Sequence, residues 1–363
     1  MVDCMIDLKI KAEFSNTSLP PFVLRITKDL IQEADDGVTL ISANSCEIKF
    51  KYPEDILGDI LLFSPESGFI HRMIRSGEGT HNSFLLTERC DQVCVMCSQP
   101  PKNKDYSGLM SLMKEAILLS DKHITVGISG GEPTLHKEKL LTFLLDIQEK
   151  RPDITIHVLT NAQHFTDQDI QPLSKIKNTI WGTPLYSDQA TVHDEIVGKE
   201  GAFDQLMMNF FRLGRAGSRI ELRTVLLAQN YYDLSRLSRF IGKNLKFIEQ
   251  WSIMGIEPIG YALANKKTIF VDYSIFKEPL LDAIANADAL ELPTKIFNTP
   301  RCCVDPSIRS HTTKSISDWK RKYLPICDTC SEKDECTGFF EWTNEEWIPS
   351  EVRPITSFDS QQS

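Results

Sequence analysis

The chain has 363 residues, 41% of them hydrophobic and 25% charged, with a formal net charge of −10 at pH 7. That length allows one large domain with one or two smaller ones, and the composition excludes a disordered or fibrous chain. The acidic balance argues against a nucleic-acid surface, which would concentrate Lys and Arg. With no charged-then-apolar leader and no apolar run near ~18 residues, a cytoplasmic protein without a membrane span is expected.

Residues 1–81 read as a β-rich accessory domain. Strand candidates lie at 22–27, 46–52 and 60–63, with turn signals at Gly37, Asn44 and 65–68. From residue 83 the rhythm changes to strand, loop, helix. Strands are predicted at 83–87, 124–128, 154–159, 179–184, 220–227 and 250–254. Helices are predicted at 108–120, 136–150, 167–176, 202–216 and 231–243. The alternation implies a parallel sheet, wound by right-handed crossovers into an open or partial barrel. Chemistry in such barrels sits at the C-terminal strand ends. This α/β core spans 82–289 and closes with a helix at 273–288. A polar, Pro-punctuated region follows at 290–345, then a polar tail at 346–363. No repeat of solenoid or propeller period is present.

Eight of the ten cysteines fall into two clusters, 90–97 and 302–336. In an intracellular chain of this size such clusters bind metal or do chemistry rather than pair as disulfides. Cys4 and Cys46 stand apart and read as buried or incidental thiols. Cys90, Cys94 and Cys97 are spaced Cys-x3-Cys-x2-Cys on the loop after the first core strand. Structural zinc needs four closed ligands. Three thiolates on one short loop suit three irons of a cubane, with the fourth iron left open. Zinc with a remote fourth ligand is the competing reading.

This segment resembles the radical S-adenosylmethionine (SAM) superfamily. The resemblance implies a partial (β/α)6 TIM-like barrel and a 4Fe–4S cluster on Cys90, Cys94 and Cys97, whose open iron binds SAM. Met96 stands where that family often has an aromatic residue. Gly130, Gly131, Glu132 and Pro133 resemble its GGEP motif, which meets the amino group of SAM. The resemblance also carries over Asn161, Ser187 beside Tyr186, Arg223 and Met254 as SAM contacts. Asn161 is equally a helix cap by residue type. Arg223, in an apolar strand, needs a partner, which Glu132, Glu221 or the SAM carboxylate can supply. Met254 is equally a core residue. His193-Asp194 reads as a loop pair with a solvated or capping histidine.

Cys327-x2-Cys330-x5-Cys336 with an upstream cysteine supplies four thiolates, enough to close a zinc site or a second 4Fe–4S cluster. Beside the first cluster, the pattern resembles the auxiliary-cluster extensions (SPASM or twitch type) of peptide-modifying radical SAM enzymes. That resemblance selects Cys302 over its neighbour Cys303 as the fourth ligand. The β-rich leader, the segment after Cys94, residues 315–320 and the run from Cys336 to Phe340 resemble the His-Xaa-Ser system radical SAM maturases. Thr337 departs from the glycine usual there. The implied activity is reductive cleavage of SAM and modification of a ribosomally made peptide, which in that family bears His-Xaa-Ser repeats. The implied partners are a second radical SAM protein and a flavodoxin- or ferredoxin-like electron donor. A radical SAM enzyme acting on a small molecule or RNA, and a non-catalytic zinc scaffold, are the alternatives.

Overall fold

Alternating side chains build the N-terminal strands. The computed structural model describes residues 9–34, 38–51, 56–77 and 81–356; Cys4 and residues 357–363 of the expected tail lie outside them. Seven strands come first: β1 (Lys9–Phe14), β2 (Phe22–Arg25), β3 (Ile31–Ala34), β4 (Val38–Ala43), β5 (Cys46–Lys51), β6 (Ile60–Ser64) and β7 (Phe69–Ile74). In β5, Cys46, Ile48 and Phe50 point inward while Glu47, Lys49 and Lys51 face water, the period-two pattern of a half-buried strand. The strands join in the order β2-β6-β7-β1-β5-β4-β3, with antiparallel pairing throughout. Ile26, Ile41, Ile48, Leu61, Phe63 and Ile70 form the core of this sheet. Each such side chain contributes about 1.5–3 kcal/mol on burial.

The following elements alternate as expected: β8 (Asn82–Thr87), α1 (Met110–Leu119), β9 (Thr125–Gly130), α2 (Lys137–Lys150), β10 (Thr155–Leu159), α3 (Ile170–Lys175), β11 (Thr179–Pro184), α4 (Ala190–Val197), α5 (Ala202–Arg215), β12 (Arg219–Val225), α6 (Leu234–Asn244), β13 (Gln250–Met254), α7 (Tyr261–Ile269), α8 (Tyr273–Ala289) and β14 (Thr294–Phe297). A two-stranded hairpin, β15 (Arg321–Lys322) with β16 (Phe339–Phe340), completes the set. The core sheet runs β14-β13-β12-β11-β10-β9-β8, in chain order, and its outer strands β8 and β14 do not pair with each other. It is a parallel sheet of the partial-barrel kind. It has seven strands, where six were expected. The extra one, β14, has only four residues and lies in the region read as irregular. Helices α4 and α7 were also not anticipated.

The chain divides into two compact units. The first holds residues 1–89, 103–159 and 175–180. In it, α2 buries Leu140, Leu141, Phe143, Leu144 and Ile147, the apolar positions of its helical repeat. Arg151 follows α2 and donates to the carbonyls of Ile117 (2.8 Å), Leu118 (3.1 Å), Ser120 (3.2 Å) and Asp121 (2.9 Å). Two of these belong to the last residues of α1, where Ile117 O already accepts the Ser120 N–H at 3.2 Å and the guanidinium adds a further donor. Asp153 holds the same guanidinium with bonds of 2.9 and 2.8 Å.

The second unit holds residues 90–102, 160–174 and 181–363. Its start is the cysteine loop and its end is the C-terminal cysteine region. Residues 346–356, expected as tail, are packed: Trp347 and Ile355 are buried. Among the described residues, no helix is long and apolar enough to cross a membrane.

Candidate functional site

The first cysteine loop is fixed by its own backbone. Val93 and Val95 donate to the carbonyls of Val197 (3.1 Å) and Ile196 (2.9 Å) at the end of α4. Tyr261 N–H donates to the Cys97 carbonyl at 2.8 Å, and the Asn265 amide donates to the Val95 carbonyl at 2.8 Å. Gly260, at φ +63°, makes this approach possible: a Cβ there would stand 2.5 Å from the Cys97 oxygen. Met96 is buried with Ile196, Leu227, Ile256, Ala262, Ile269 and Trp347. An unbranched thioether fills an apolar niche of irregular shape well.

Cys90, Cys94 and Cys97 are all free thiols, partly buried. Burial pushes the Cys94 thiol up, and the nearby Cys97 and Cys90 push it further. Burial also raises Cys97, whose Sγ donates to the Gln99 carbonyl at 3.0 Å. Two thiols that disfavour ionisation of Cys94 form with it a donor set that a cation would relieve. Asp91, inside the loop, is tied from three sides. It accepts from Asn161 Nδ2 (2.8 Å) and pairs with Lys199 (2.5 Å) and His164 (3.4 Å). Burial alone would raise its carboxyl, but the bonds from His164, Lys199 and Asn161 hold it well below the usual range. Sequence reading missed Asp91 and Lys199. The signal available was a carboxylate inside a cysteine motif.

Asn161 thus holds the cysteine loop, and its Oδ1 also accepts the Gln163 N–H at 3.1 Å. Arg223 Nη1 pairs with Glu221 Oε2 at 3.0 Å, one of the partners considered for it. Glu221 also accepts from Ser252 Oγ at 2.5 Å. Ser187 is buried and accepts the Gln189 N–H at 3.1 Å. Met254 is half-buried at the end of β13. Tyr186 is close enough to Cys94, Cys97 and Arg223 for their charges to act on its phenol, which burial raises.

His193 departs from the sequence reading. It lies within α4, buried, with its ring stacked on Tyr186 (centroids 5.6 Å) and edge-on to Phe203 (5.9 Å). Its Nδ1 accepts the Tyr186 N–H at 3.3 Å. Burial lowers its pKa to about 4, against the pull of Asp194, so the ring is neutral at pH 7. The solvated reading fails because aromatic rings from two other segments close over the ring.

In the first unit, the loop from Gly130 to Pro133 lies against Thr87–Arg89, the backbone that leads into Cys90. Gly131 N–H donates to Thr87 O at 2.8 Å and Glu132 N–H to Arg89 O at 2.7 Å. A side chain at Gly131 would overlap the Arg89 carbonyl. Glu132 is fully buried, and its Oε1 accepts the N–H of Thr134 at 2.7 Å and the Thr134 hydroxyl. It thereby caps the turn that Pro133 opens.

The second cysteine group comes from three segments. Cys302, Cys327, Cys330 and Cys336 line one cavity. Cys303 is buried and does not line it. It sits behind Cys302, with 3.9 Å between the sulfurs, and its S–H lowers Cys302 to about 6. Backbone N–H groups point at two of the other sulfurs: Arg301 and Gly338 at Cys336 (3.5 and 3.4 Å), and Ile355 at Cys330 (3.3 Å). Hydrogen bonds of this kind stabilise thiolates in iron–sulfur proteins. Arg301 pairs with Glu332 at 2.5 Å and donates to Thr312 Oγ1 at 2.9 Å. The Thr337 hydroxyl accepts the N–H groups of Ser315 (3.2 Å) and Ile316 (3.1 Å). Among the described residues, no group of three or more His, Cys, Asp or Glu side chains is arranged to hold a single metal ion.

Residues 84–241, less than half of the chain, match the Radical SAM superfamily. The chain is similar to an AdoMet-dependent heme synthase of Oleidesulfovibrio alaskensis, 24% identical over 193 residues, covering 50% of this chain and 46% of that protein. It is also similar to an Fe-coproporphyrin III synthase of Methanosarcina barkeri, 26% identical over 153 residues, covering 41% of this chain and 37% of that one. The chain thus spans less than half the length of these relatives. Among solved structures, Streptococcus suis SuiB bound to precursor peptide SuiA aligns with a TM-score of 0.49 at 18% identity, covering 60% of this chain and 48% of that one. The AdoMet-bound anSMEcpe aligns with a TM-score of 0.47 at 17% identity, covering 59% and 60%.

Proposed function

We propose that this chain is a radical SAM maturase that modifies a ribosomally made peptide, with an auxiliary 4Fe–4S cluster on Cys302, Cys327, Cys330 and Cys336. Cys90, Cys94 and Cys97 would hold the SAM-binding cluster, where reductive cleavage of SAM supplies the 5′-deoxyadenosyl radical. The chain's own residues position and shield. Asp91, tied to Asn161 and Lys199, steadies the cysteine loop. The glycines at 130 and 131 allow close backbone approach. Ser187, Arg223 and Met254 would border SAM, and Glu132 and Pro133 shape the loop that meets its amino group. A flavodoxin- or ferredoxin-like protein would deliver the electron.

The observation that carries the reading is the cavity lined by four thiols from three segments, with backbone N–H groups already directed at two of the sulfurs. A second reading is favoured by the names of the two relatives, which give a tetrapyrrole as the product. Anaerobic purification decides first between cluster and zinc: about eight irons per chain are expected from two cubanes, and a colourless zinc protein would end the proposal. Incubation with SAM, dithionite and either a His-Xaa-Ser peptide or iron-coproporphyrin III then separates the two readings. A mass change on the peptide supports maturation; conversion of the porphyrin alone overturns it.

A further inference from the structure

Beyond the C-terminal end of β13, Glu257 and Lys320 form an ion pair that is left open. The Lys320 Nζ and Glu257 Oε1 stand 3.7 Å apart, too far for a hydrogen bond. Each side chain is about a quarter exposed, 23% for Lys320 and 24% for Glu257. Lys320 Nζ lies over the rings of Trp319 (4.8 Å) and Trp342 (5.6 Å), a cation–π placement. Trp342 is stacked on Phe340 at 5.7 Å, and its buried Nε1 has no hydrogen-bond partner among the described residues. Trp319 is 39% exposed. Burial pushes the Glu257 carboxyl up, and Lys320 pulls it back.

Partly buried charges are normally completed by further hydrogen bonds. Here an ammonium with three donors and a carboxylate with two acceptor oxygens share one long contact. An anionic ligand would meet Glu257, and a cation would meet Lys320. A neutral amide satisfies both, accepting from the ammonium and donating its N–H to the carboxylate. Strand ends of this fold are where substrates are met.

We propose that Glu257 and Lys320, flanked by Trp319 and Trp342, form a subsite for the backbone of an extended peptide. Lys320 donates to a peptide carbonyl, Glu257 accepts from a peptide N–H, and the exposed face of Trp319 receives an adjacent side chain. This subsite rests on the peptide reading above and assigns residues to it.

The test measures binding to the cluster-loaded full chain of two probes: a fluorescein-labelled, terminally blocked His-Xaa-Ser peptide and iron-coproporphyrin III. Glu257→Gln and Lys320→Met should each weaken peptide binding about tenfold, with iron content and melting unchanged, and Lys320→Arg should restore most of the loss. Peptide binding that is equal in wild type and both variants overturns the subsite and leaves the maturase reading standing. Porphyrin binding without peptide binding, weakened by Lys320→Met and tightened by Glu257→Gln, overturns both. Binding of neither probe also counts against the subsite.

Discussion

The two cysteine regions solve one chemical problem in opposite ways. The first places three thiols on a single loop, and the neighbours that hold it bond to its backbone, through Val93, Val95 and Cys97. Burial holds two of its thiols, Cys94 and Cys97, toward their neutral form. The second draws four thiols from three segments, and backbone N–H groups reach the sulfurs themselves. The difference separates a site defined by spacing from one defined by tertiary packing. Substitutions near the first should act on chemistry, and substitutions near the second on assembly.

The largest expected effect is at Cys94. Cys94→Ala should abolish formation of 5′-deoxyadenosine, read by chromatography after reduction, and remove roughly half the iron. Retained turnover would break the assignment. Next is Arg301, which braces the second region. Arg301→Ala leaves Glu332 without its 2.5 Å partner and should cost about 3 kcal/mol, read by thermal melting. It should also lower the C-terminal iron while leaving SAM binding to the first loop.

The first region shows how far sequence alone reaches. Its spacing is local, and the strand before it alternates with helices whose apolar repeats can be counted, as in α2. Buried His193 could not be read that way, because Tyr186 and Phe203 close over it only after folding. Helix α4 was missed for the same reason. Which of Cys302 and Cys303 joins the other three thiols was also beyond spacing, since the two are adjacent in the chain and Cys302 is the one that lines the cavity. Thr337 looked like a local departure. Its hydroxyl in fact holds two backbone N–H groups.

Two smaller effects sharpen the comparison. His193 has a folded pKa of about 4 against an ordinary 6.5. Between those values the unfolded chain binds a proton that the folded chain does not. Stability should therefore fall by about 3 kcal/mol as pH drops from about 6.5 to about 4. His193→Asn, which keeps an acceptor for Tyr186, should flatten that part of a denaturation-against-pH curve; an unchanged slope would place the titration elsewhere. The smallest effect is at Thr337→Val, which leaves the N–H groups of Ser315 and Ile316 without their acceptor. It should cost about 1–2 kcal/mol in urea unfolding, with SAM cleavage retained.

The strand order of the core sheet, from β8 to β14, follows the order of the chain. Each strand that leaves the ribosome therefore finds its neighbour already made. Synthesis runs at about 5–20 residues per second, so Cys302 emerges on the order of ten to forty seconds after Cys97. The three loop thiols exist through that interval before the C-terminal four are complete, so the two sets of thiols are completed in a fixed order.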